Sequence, residues 1–357
     1  MIDGAAPGTV LAAIDADDPL HGTRGFAGRL PDGRLVRDVL GRRPLFRDAG
    51  GHYAFDPTTL DDPRAVPPGT VLSDGAVTHR WSLPDPDALE DQQALDDLRT
   101  AIDAALADID TSGLAVAFSG GVDSALLAAT LDAPLYTVGL GDSHDVAAAR
   151  EVADALGRTT SVRELTIEDV EAAVPAVARA IDRPNAMDVQ IALSLSFVAE
   201  AAAADGFDRL ALGQGADELF GGYAKVAALD HRVDADTVRD ARREVLASVP
   251  DQAERDVLAI RARGVEPVTP LLDDRVVRAA LRLPASQLVG EGERKRGFRR
   301  VAAEYLPASV AAREKKAMQY GSLVARELDR LARQAGFKRR MDDHVTTYVR
   351  SRIDSSR

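Results

Sequence analysis

Residues 115–131 read AVAFSGGVDSALLAATL, and three features of this stretch decide the fold around it. A short apolar run comes first, a glycine pair flanked by serines follows, and an apolar segment with helical spacing begins at Asp123. A continuous apolar run of this length, bounded by a turn, is typical of a strand buried on both faces of a parallel sheet. The stretch therefore predicts a buried strand, a tight turn and a helix.

The same alternation continues on both sides of this stretch. Helices are predicted at 94–109, 123–131, 145–157, 169–181 and 189–206, and strands at 113–118, 133–140, 161–167 and 208–213. Strands that alternate with helices predict an open parallel α/β sheet. From about residue 224 onward the pattern is mostly that of amphipathic helices, which predicts a helical C-terminal part.

The first 82 residues have a different character. They are rich in Gly, Pro and Asp, and apolar runs such as TVLAAI and GTVLS lie between turn signals such as PDG and PPG. This pattern predicts a small β-rich domain. We therefore expect four regions: a β-rich domain (1–82), a linker (83–93), an α/β domain (94–330) and a helical, basic tail (331–357).

Composition and charge narrow the classes of function. The chain has 357 residues, no cysteine and a net charge of -13. The missing cysteines exclude disulfides, thiolate metal sites and a cysteine nucleophile. The acidic balance disfavours nonspecific binding to nucleic acid or to an anionic membrane. No apolar run approaches the ~20 residues of a membrane span, and no export signal is recognisable, so a cytoplasmic location is expected.

Arginine replaces lysine almost throughout the chain. Only five of the 44 basic residues are lysines, whereas Asp and Glu together number 57. An acidic surface rich in arginine suits a salt-saturated cytoplasm, because it stays hydrated and soluble there. A genome rich in G and C also favours arginine and alanine, but it does not demand the excess of acids. We therefore favour a halophilic interpretation.

The glycine pair lies where open parallel sheets bind ligands. Such sheets bind at the carboxyl ends of their strands, where the next helix offers unpaired N–H groups with partial positive charge. Gly120 and Gly121 allow close approach of an anion, and Ser119 and Ser124 add hydroxyl donors. No Gly-Lys-Ser/Thr follows, so this is not a Walker A loop, and Asp123 beside a phosphate fits a Mg²⁺ ligand. The alternative is a tight turn in which Asp123 or Ser119 is the helix N-cap.

Two motifs together resemble a known family. SGGVDS resembles SGGxDS, the pyrophosphate loop of the N-type ATP pyrophosphatases, and LGQGADELFGGY (212–223) resembles GEGSDELFGGY of the asparagine synthetases. The resemblance implies an adenine nucleotide alpha-hydrolase-like fold that uses ATP and Mg²⁺ and splits ATP between its α and β phosphates. It also implies that Asp217 is a metal ligand together with Asp123, and that Gly213 and Gly215 let the backbone pass close to the nucleotide.

Further segments extend the resemblance. YTVGLGDSHDVAAAREVADALG (136–157) is similar to the family's strand and helix after the loop, where the backbone around Val138 would bind adenine. EYLPASVAAREKKAMQYGS (304–322) is similar to its LPxxIxxRxK segment. By position, Lys315 matches the lysine that stabilises charge in the reaction, with Lys316 as the alternative if the register shifts by one. Lysine is rare here, yet three of the five lie within 295–316, and an ammonium is not interchangeable with a guanidinium.

Two departures from the family pattern are visible. Glutamine-dependent members begin with a class II amidotransferase domain whose nucleophile is a cysteine. VRDVLGRRPLF (36–46) and AVPPGTVLSDG (65–75) resemble the closing part of that domain, but no cysteine is present, so residues 1–82 are interpreted as a shortened remnant without glutaminase activity. The glutamate of GEGSDE, the proposed base for ammonia, is Gln214 here, and a neutral amide does not accept a proton at useful pH.

The resemblance implies an AMP-forming amide ligase. A carboxylate would attack the α-phosphorus of MgATP, pyrophosphate would leave on residues 119–124, and an amine would displace AMP. Aspartate and ammonia are the first choice, and Gln214 makes another carboxylate or amine a competitor. A tRNA-modifying pyrophosphatase is disfavoured by the acidic N-terminal region, and a nucleotide-binding regulatory protein without turnover is a further alternative. The expected partners are small molecules and a second copy of the chain in a homodimer.

Overall fold

The computed structural model describes residues 1–73, 75–141, 143–313, 319–340 and 343–354. The chain folds as two compact units. Unit 1 comprises Met1–Asp110, Gly213–Glu254 and Thr269–Ala312, and unit 2 comprises Thr111–Leu212, Arg255–Val268 and Arg313–Arg357. The boundaries expected at residues 82, 93 and 330 stay a prediction.

The strands of the described residues, in chain order, are β1 Ile2–Asp3, β2 Ala27–Arg29, β3 Leu35–Arg37, β4 Phe46–Arg47, β5 Tyr53–Ala54, β6 Arg64–Ala65, β7 Thr70–Ser73, β8 Ala76–His79, β9 Leu114–Ala117, β10 Leu135–Leu140, β11 Thr160–Leu165, β12 Arg209–Ala211, β13 Glu266–Val268, β14 Val289–Gly290 and β15 Glu293–Arg294.

The α-helices of the same residues are α1 Pro7–Ala16, α2 Asp91–Ala107, α3 Val122–Thr130, α4 His144–Ala155, α5 Ile167–Ala180, α6 Ala186–Ala204, α7 Ala216–Phe220, α8 Ala224–Ala228, α9 Val238–Leu246, α10 Val249–Arg261, α11 Asp274–Leu281, α12 Ala285–Leu288, α13 Arg296–Ala302, α14 Ala308–Ala311, α15 Gln319–Gln334 and α16 His344–Asp354. Short 3-10 turns lie at Pro57–Thr59 and Pro270–Leu272.

Unit 2 is built on a five-stranded parallel sheet with the order β11-β10-β9-β12-β13. The chain leaves β9 toward β10 and β11 on one side and returns to place β12 and β13 on the other. The strand order therefore reverses between β9 and β12, which is the topological switch point where such sheets bind ligands. The predicted open parallel α/β sheet is confirmed.

The edge strand β13 was not predicted from the sequence. It is three residues long and contains Pro267, which pairs in register with Leu210 of β12. Proline is confined to edge strands because it cannot donate to a second neighbour. Position at the sheet edge therefore reconciles a short proline-containing segment with strand structure.

Helix α6 is long and apolar. It has 19 residues and a mean hydropathy of 1.3. Among the described residues, it is the one helix that is long and apolar enough to cross a membrane, judged by length and composition alone. The sequence prediction of no such run did not anticipate this. The helix packs against β10, α5 and α15 of its own unit and buries Val189, Leu193 and Phe197. These contacts are those of a core helix.

Unit 1 contains the predicted β-rich region. A five-stranded antiparallel sheet has the order β1-β2-β3-β7-β8, and a smaller one has the order β5-β4-β6. Ala27, Leu45, Val66 and Leu72 form their core. The run TVLAAI, counted among the apolar runs of this region, is helical instead and belongs to α1, because a proline at the helix start and several alanines favour helix.

The rest of unit 1 is mostly helical, as predicted for the C-terminal part of the chain. Helix α2 packs against α11 and α13. Phe220 of α7 stacks on Phe298 of α13 with ring centroids 4.6 Å apart. This contact fixes α7, which carries the residues of the GADELFGGY segment.

Candidate functional site

The SGGVDS loop begins where β9 ends in unit 2. The Phe118 N–H donates to the Tyr136 carbonyl at 2.7 Å, after which the chain leaves the sheet. Gly120 has φ +69, and a Cβ there would lie 3.0 Å from the Cα of Ala149 in α4. Both facts require glycine at position 120, because a side chain would be strained and would meet backbone.

Ser124 closes the loop on itself. Its hydroxyl accepts from the Ser119 N–H at 3.2 Å and donates to the Gly121 carbonyl at 3.1 Å. The two serine hydroxyls lie 3.3 Å apart. Ser124 is buried, whereas Ser119 and Asp123 are half-buried. Ser124 therefore fixes the shape of the loop, and its predicted contact with a phosphate stays a prediction.

The first turn of α3 lacks a side-chain cap. Its N-cap is Gly121, which makes no side-chain hydrogen bond. The alternative that Asp123 or Ser119 is the N-cap is therefore wrong. The first N–H groups of a helix have no partner within the helix and carry partial positive charge, so they suit an anion. Asp123 lies within this turn.

Val138 lies in β10, next to the loop. Pairing with β9 covers only Leu135 and Tyr136, whereas pairing with β11 continues to the end of the strand. Backbone groups two residues apart point to the same side of a strand, so the N–H and C=O of Val138 point past the end of β9. This is the position from which backbone groups can bind a planar base.

The side chain of Val138 is buried at 3% exposure. It lines a cavity of about 10 Å³ together with Ser143, Asp145, Leu165 and Ser194. A cavity of this volume holds no more than one water molecule. A base read by the strand would therefore contact the backbone edge of Val138 rather than enter this cavity.

The Gly213–Tyr223 segment lies in unit 1 and surrounds the short helix α7. Gly215 has φ +90 and is the N-cap of α7. A Cβ on Gly215 would lie 2.4 Å from Leu272 Cδ2. Gly215 is thus restricted to glycine both by its backbone and by its neighbour, and Gln214 beside it is half-buried.

Asp217 forms an ion pair with Lys295. The Lys295 Nζ lies 2.8 Å from Asp217 Oδ1, with the lysine side chain 8% exposed and the aspartate 33%. A Cβ on Gly222 would lie 1.9 Å from that same oxygen and 2.4 Å from Lys295 Cε. The pair therefore occupies space that only a glycine at 222 leaves.

Lys295 was not among the primary candidates of the sequence analysis. The signal that points to it is the rarity of lysine, since it belongs to the group of three within 295–316. Its contact with Asp217 joins positions 78 residues apart in sequence, which no local motif reveals.

Glu218 of α7 is hydrogen-bonded to Tyr223, the N-cap residue of α8. The Tyr223 hydroxyl donates to Glu218 Oε1 at 2.5 Å. Burial raises the pKa of Glu218, and burial together with the neighbouring Glu218 raises the pKa of Tyr223. The Arg294 guanidinium donates to the Gly222 carbonyl at 2.8 Å and so holds the end of the same segment.

The structure brings the predicted residues together in two groups. In unit 2, Ser119, Gly120 and Gly121 form the turn after β9, Asp123 and Ser124 lie in the first turn of α3, and Val138 lies in β10. In unit 1, Gly213, Gly215 and Asp217 lie within one segment. Lys315 and its alternative Lys316 lie outside the described residues.

Each unit presents one carboxylate of the type that binds a hard divalent cation. Asp123 of unit 2 and Asp217 of unit 1 each offer the carboxylate oxygens that Mg²⁺ prefers. Within the described ranges, no group of three or more His, Cys, Asp or Glu side chains is placed to hold a metal by itself. Mg²⁺ is commonly bound through one or two carboxylates plus the phosphates of its substrate, so the residues fit a metal that arrives with a nucleotide.

An open parallel α/β sheet whose switch-point loop reads SGGVDS is the architecture of a nucleotide-binding α/β protein. The family model described as asparagine synthase matches residues 95–255 and 238–353, which is more than half of the chain. The chain belongs to the asparagine synthase family. The resemblance expected from the sequence is thereby confirmed.

Three relatives illustrate the similarity. A protein of Methanocaldococcus jannaschii assigned as a glutamine-hydrolyzing asparagine synthetase is 31% identical over 274 residues, 66% of this chain and 51% of the relative. Asparagine synthetase B (glutamine-hydrolyzing) of Escherichia coli is 30% identical over 190 residues, 52% of this chain and 34% of the relative. The asparagine synthetase (glutamine-hydrolyzing) of Asparagus officinalis is 26% identical over 326 residues, which are 80% of this chain and 54% of the relative. The chain spans about half the length of the M. jannaschii and Asparagus relatives and about a third of the E. coli one.

Proposed function

We propose that this protein is an asparagine-synthetase-like ligase that forms AMP and pyrophosphate. A substrate carboxylate attacks the α-phosphorus of ATP, pyrophosphate departs, and an amine then attacks the acyl carbon and releases AMP. The observation that carries this proposal is the SGGVDS loop at the switch point of the sheet, with the uncapped first turn of α3 behind it. A preorganised set of N–H donors stabilises the charge that develops on the departing pyrophosphate.

The proposed roles of the residues follow from their positions. Gly120 and Gly121 bring backbone N–H groups to the phosphates, and Ser124 keeps the loop in shape through its bonds to Ser119 and Gly121. The backbone of Val138 binds the adenine edge. Lys315, by resemblance, stabilises charge on the reacting phosphate.

Asp123 and Asp217 are the proposed ligands of Mg²⁺. When bound, the metal neutralises phosphate charge and polarises the α-phosphorus. Lys295 holds the Asp217 carboxylate at 2.8 Å and, being buried, fixes its orientation. Gly213 and Gly215 let the backbone of the Gly213–Tyr223 segment approach the nucleotide.

Aspartate and ammonia are the proposed substrates, on the grounds of family membership. Gln214 stands where the family has a glutamate, and Glu218 nearby is buried and engaged by Tyr223. The amine therefore has to arrive as its free base, so the rate should increase with pH as the free-base fraction of the amine grows. Another carboxylate or amine is the second candidate, favoured by Gln214.

Glutamine hydrolysis is not part of the proposed reaction. A class II amidotransferase needs a cysteine nucleophile, and the 357 residues contain none. A regulatory protein that binds nucleotide without turnover is the competing function, favoured by Gln214 and by the absence of cysteine from the 357 residues.

The first experiment is pyrophosphate release from MgATP in molar KCl. Aspartate plus ammonium is compared with each alone, with glutamine and with other amino acids, and products are analysed by mass. We expect asparagine and AMP in equal amounts from aspartate plus ammonium, and no ammonia from glutamine above a control without enzyme. Nucleotide binding without pyrophosphate release on any substrate would instead support the regulatory function.

Two substitutions test whether pyrophosphate release depends on the SGGVDS loop. Asp123→Asn should reduce pyrophosphate release by about 100-fold or more, because a metal ligand is lost. Asp132→Asn is the matched control, since Asp132 is an exposed carboxylate beyond the end of α3. Equal rates in the two variants would remove Asp123 from the mechanism.

A further inference from the structure

Two residues of the N-terminal region, Thr23 and Arg42, bind the 272–274 turn of the same unit. The Thr23 N–H and hydroxyl both donate to Asp274 Oδ2, at 2.7 and 3.0 Å. The Asp274 N–H donates in return to the Thr23 carbonyl at 2.8 Å. The start of α11 is therefore fixed to the N-terminal region by three hydrogen bonds.

Arg42 makes the second connection. Its side chain is 1% exposed, its Nε donates to Asp38 Oδ1 at 2.8 Å, and its Nη1 lies 2.8 Å from Asp274 Oδ1. The same Nη1 donates to the Leu272 carbonyl at 2.7 Å. A planar guanidinium reaches two carboxylates and a carbonyl at once, which neither an ammonium nor an apolar side chain does.

Leu272 carries this connection to the candidate site. Its side chain is 1% exposed and packs directly on Gly215, where a Cβ would lie 2.4 Å from Cδ2 and 2.6 Å from Cγ. Gly215 is the N-cap of α7, and Asp217 is the second residue of that helix. Displacement of Leu272 would therefore open space under the turn that positions Asp217.

We propose that Arg42 is a positioning residue for the nucleotide site, acting through Leu272 on the Gly215 turn that carries Asp217. The inference rests on the proposed function. The N-terminal region then has a role that is independent of glutamine hydrolysis. It holds the 272–274 turn in place, and through Leu272 it also positions the Gly213–Tyr223 segment. The competing interpretation is that Arg42 contributes only to overall stability, as other buried ion pairs do.

Arg37 offers a matched control. It is a second buried arginine of the same segment, 2% exposed, and it donates to the Val66 and Gly41 carbonyls and pairs with Glu254 at 3.4 Å. Both Arg37→Lys and Arg42→Lys remove a buried guanidinium fork, so both should lower thermal stability. Only Arg42 bonds the Leu272 carbonyl, so only its substitution should change the nucleotide site.

The experiment compares Arg42→Lys, Arg37→Lys and Leu272→Ala in the full-length chain in molar KCl. We expect Arg42→Lys to raise the KM for MgATP in pyrophosphate release about tenfold or more, since small displacements of positioning groups have effects of this size. Leu272→Ala should raise it similarly, and the double variant should be less impaired than the product of the two, because both act on one path. Arg37→Lys should leave the KM unchanged at a comparable loss of Tm.

Amide hydrogen exchange supplies a readout that does not require turnover. The Gly215–Asp217 amides should exchange faster in Arg42→Lys than in Arg37→Lys, because local opening of the turn becomes easier. Equal exchange and equal KM in these two variants would overturn the positioning role. A wild-type chain that releases no pyrophosphate refutes the proposed function instead, and hydrogen exchange alone then decides whether Arg42 holds the turn.

Discussion

Asp217 depends for its position on a glycine five residues further along the chain. Gly222 leaves the volume into which the carboxylate and the Lys295 side chain fit, and the Asp217 carbonyl accepts from the Gly222 N–H at 2.8 Å. The backbone bond holds the two residues at a fixed separation. A side chain at 222 would therefore displace either the ion pair or the turn.

Gly222→Ala tests this arrangement. The added Cβ would lie 1.9 Å from Asp217 Oδ1, so the carboxylate has to move, and pyrophosphate release should decrease by about tenfold or more. Steady-state kinetics with MgATP is the measurement. Gly8→Ala is the control, because a Cβ on Gly8 meets nothing within 4 Å. Unchanged kinetics in Gly222→Ala would show that Asp217 tolerates displacement.

Lys295→Arg is the second prediction at this scale. The ammonium is buried against one carboxylate oxygen, and a broader, planar guanidinium does not fit the same space without moving Asp217. We expect the KM for MgATP to increase about tenfold. Lys225→Arg, at a half-buried lysine in α8, should leave it unchanged. The same KM in both variants would mean that only the charge of Lys295 matters.

Single residues of the site were unevenly accessible to sequence reasoning. The glycines, Ser119, Ser124, Asp123 and Asp217 stand in contiguous motifs whose chemistry is legible, so they were named at once. The Asp217–Lys295 pair and the packing of Leu272 on Gly215 join residues distant in sequence. Their partners are determined by tertiary structure, which no local pattern encodes.

Secondary-structure elements with a strong period were predicted well. The run GLAVAF contains β9, and each helix predicted between residues 94 and 206 is present. In α2 and α5 the apolar residues recur with the helical period, whereas α6 is apolar nearly all round and is recognisable as a helix by its length. The short elements β13 and α1 were missed. A three-residue strand containing proline carries no periodic signal, and a six-residue run such as TVLAAI next to turn signals is compatible with either strand or helix.

Asp329 of α15 is hydrogen-bonded to His344 of α16 and so links the two helices. A third prediction follows from this link. Asp329 accepts hydrogen bonds from Arg339 and His344, at 2.7 and 2.8 Å, and lies 16% exposed. The hydrogen bond from Arg339 is the largest influence on this carboxyl, and together with the bond from His344 it outweighs the opposing effect of burial, so the pKa of Asp329 lies well below its usual range. An acid with a lowered pKa in the folded state stabilises the fold above its unfolded pKa and loses that contribution as pH falls.

Asp329→Asn should therefore lower the Tm at neutral pH by about 1–2 °C, the size expected for about 1 kcal/mol in a chain of this length. The difference from wild type should stay constant above the unfolded pKa of about 4 and shrink as pH falls below it. Thermal melts followed by circular dichroism from acid to neutral pH provide the measurement. A difference that grows in acid would contradict the assignment.

The whole molecule carries a large negative charge. Acids number 57 against 44 basic residues, and the net charge is -13. Such a surface repels itself at low ionic strength, and salt shortens the range of that repulsion from about 10 Å at 0.1 M to about 3 Å at 1 M. The composition thus makes stability a function of salt.

We expect the Tm to increase between about 0.1 M and 1 M KCl, the range over which screening becomes nearly complete. Thermal melts at graded KCl concentration measure this, with sucrose at matched osmolality as the control for solvent exclusion. A Tm that responds equally to sucrose, or not at all to KCl, would favour base composition of the genome over halophilic adaptation.

The crowding around Gly215 and Gly222 also bears on how this protein can diverge. Neither position has room for a methyl group, so both glycines of the Gly213–Tyr223 segment resist substitution. Gln214, which directly precedes Gly215 in the same turn, is half-buried and stands where the family pattern has a glutamate. If the proposed function holds, selection for a new amine or carboxylate can act on position 214 while the backbone that presents Asp217 is inherited unchanged.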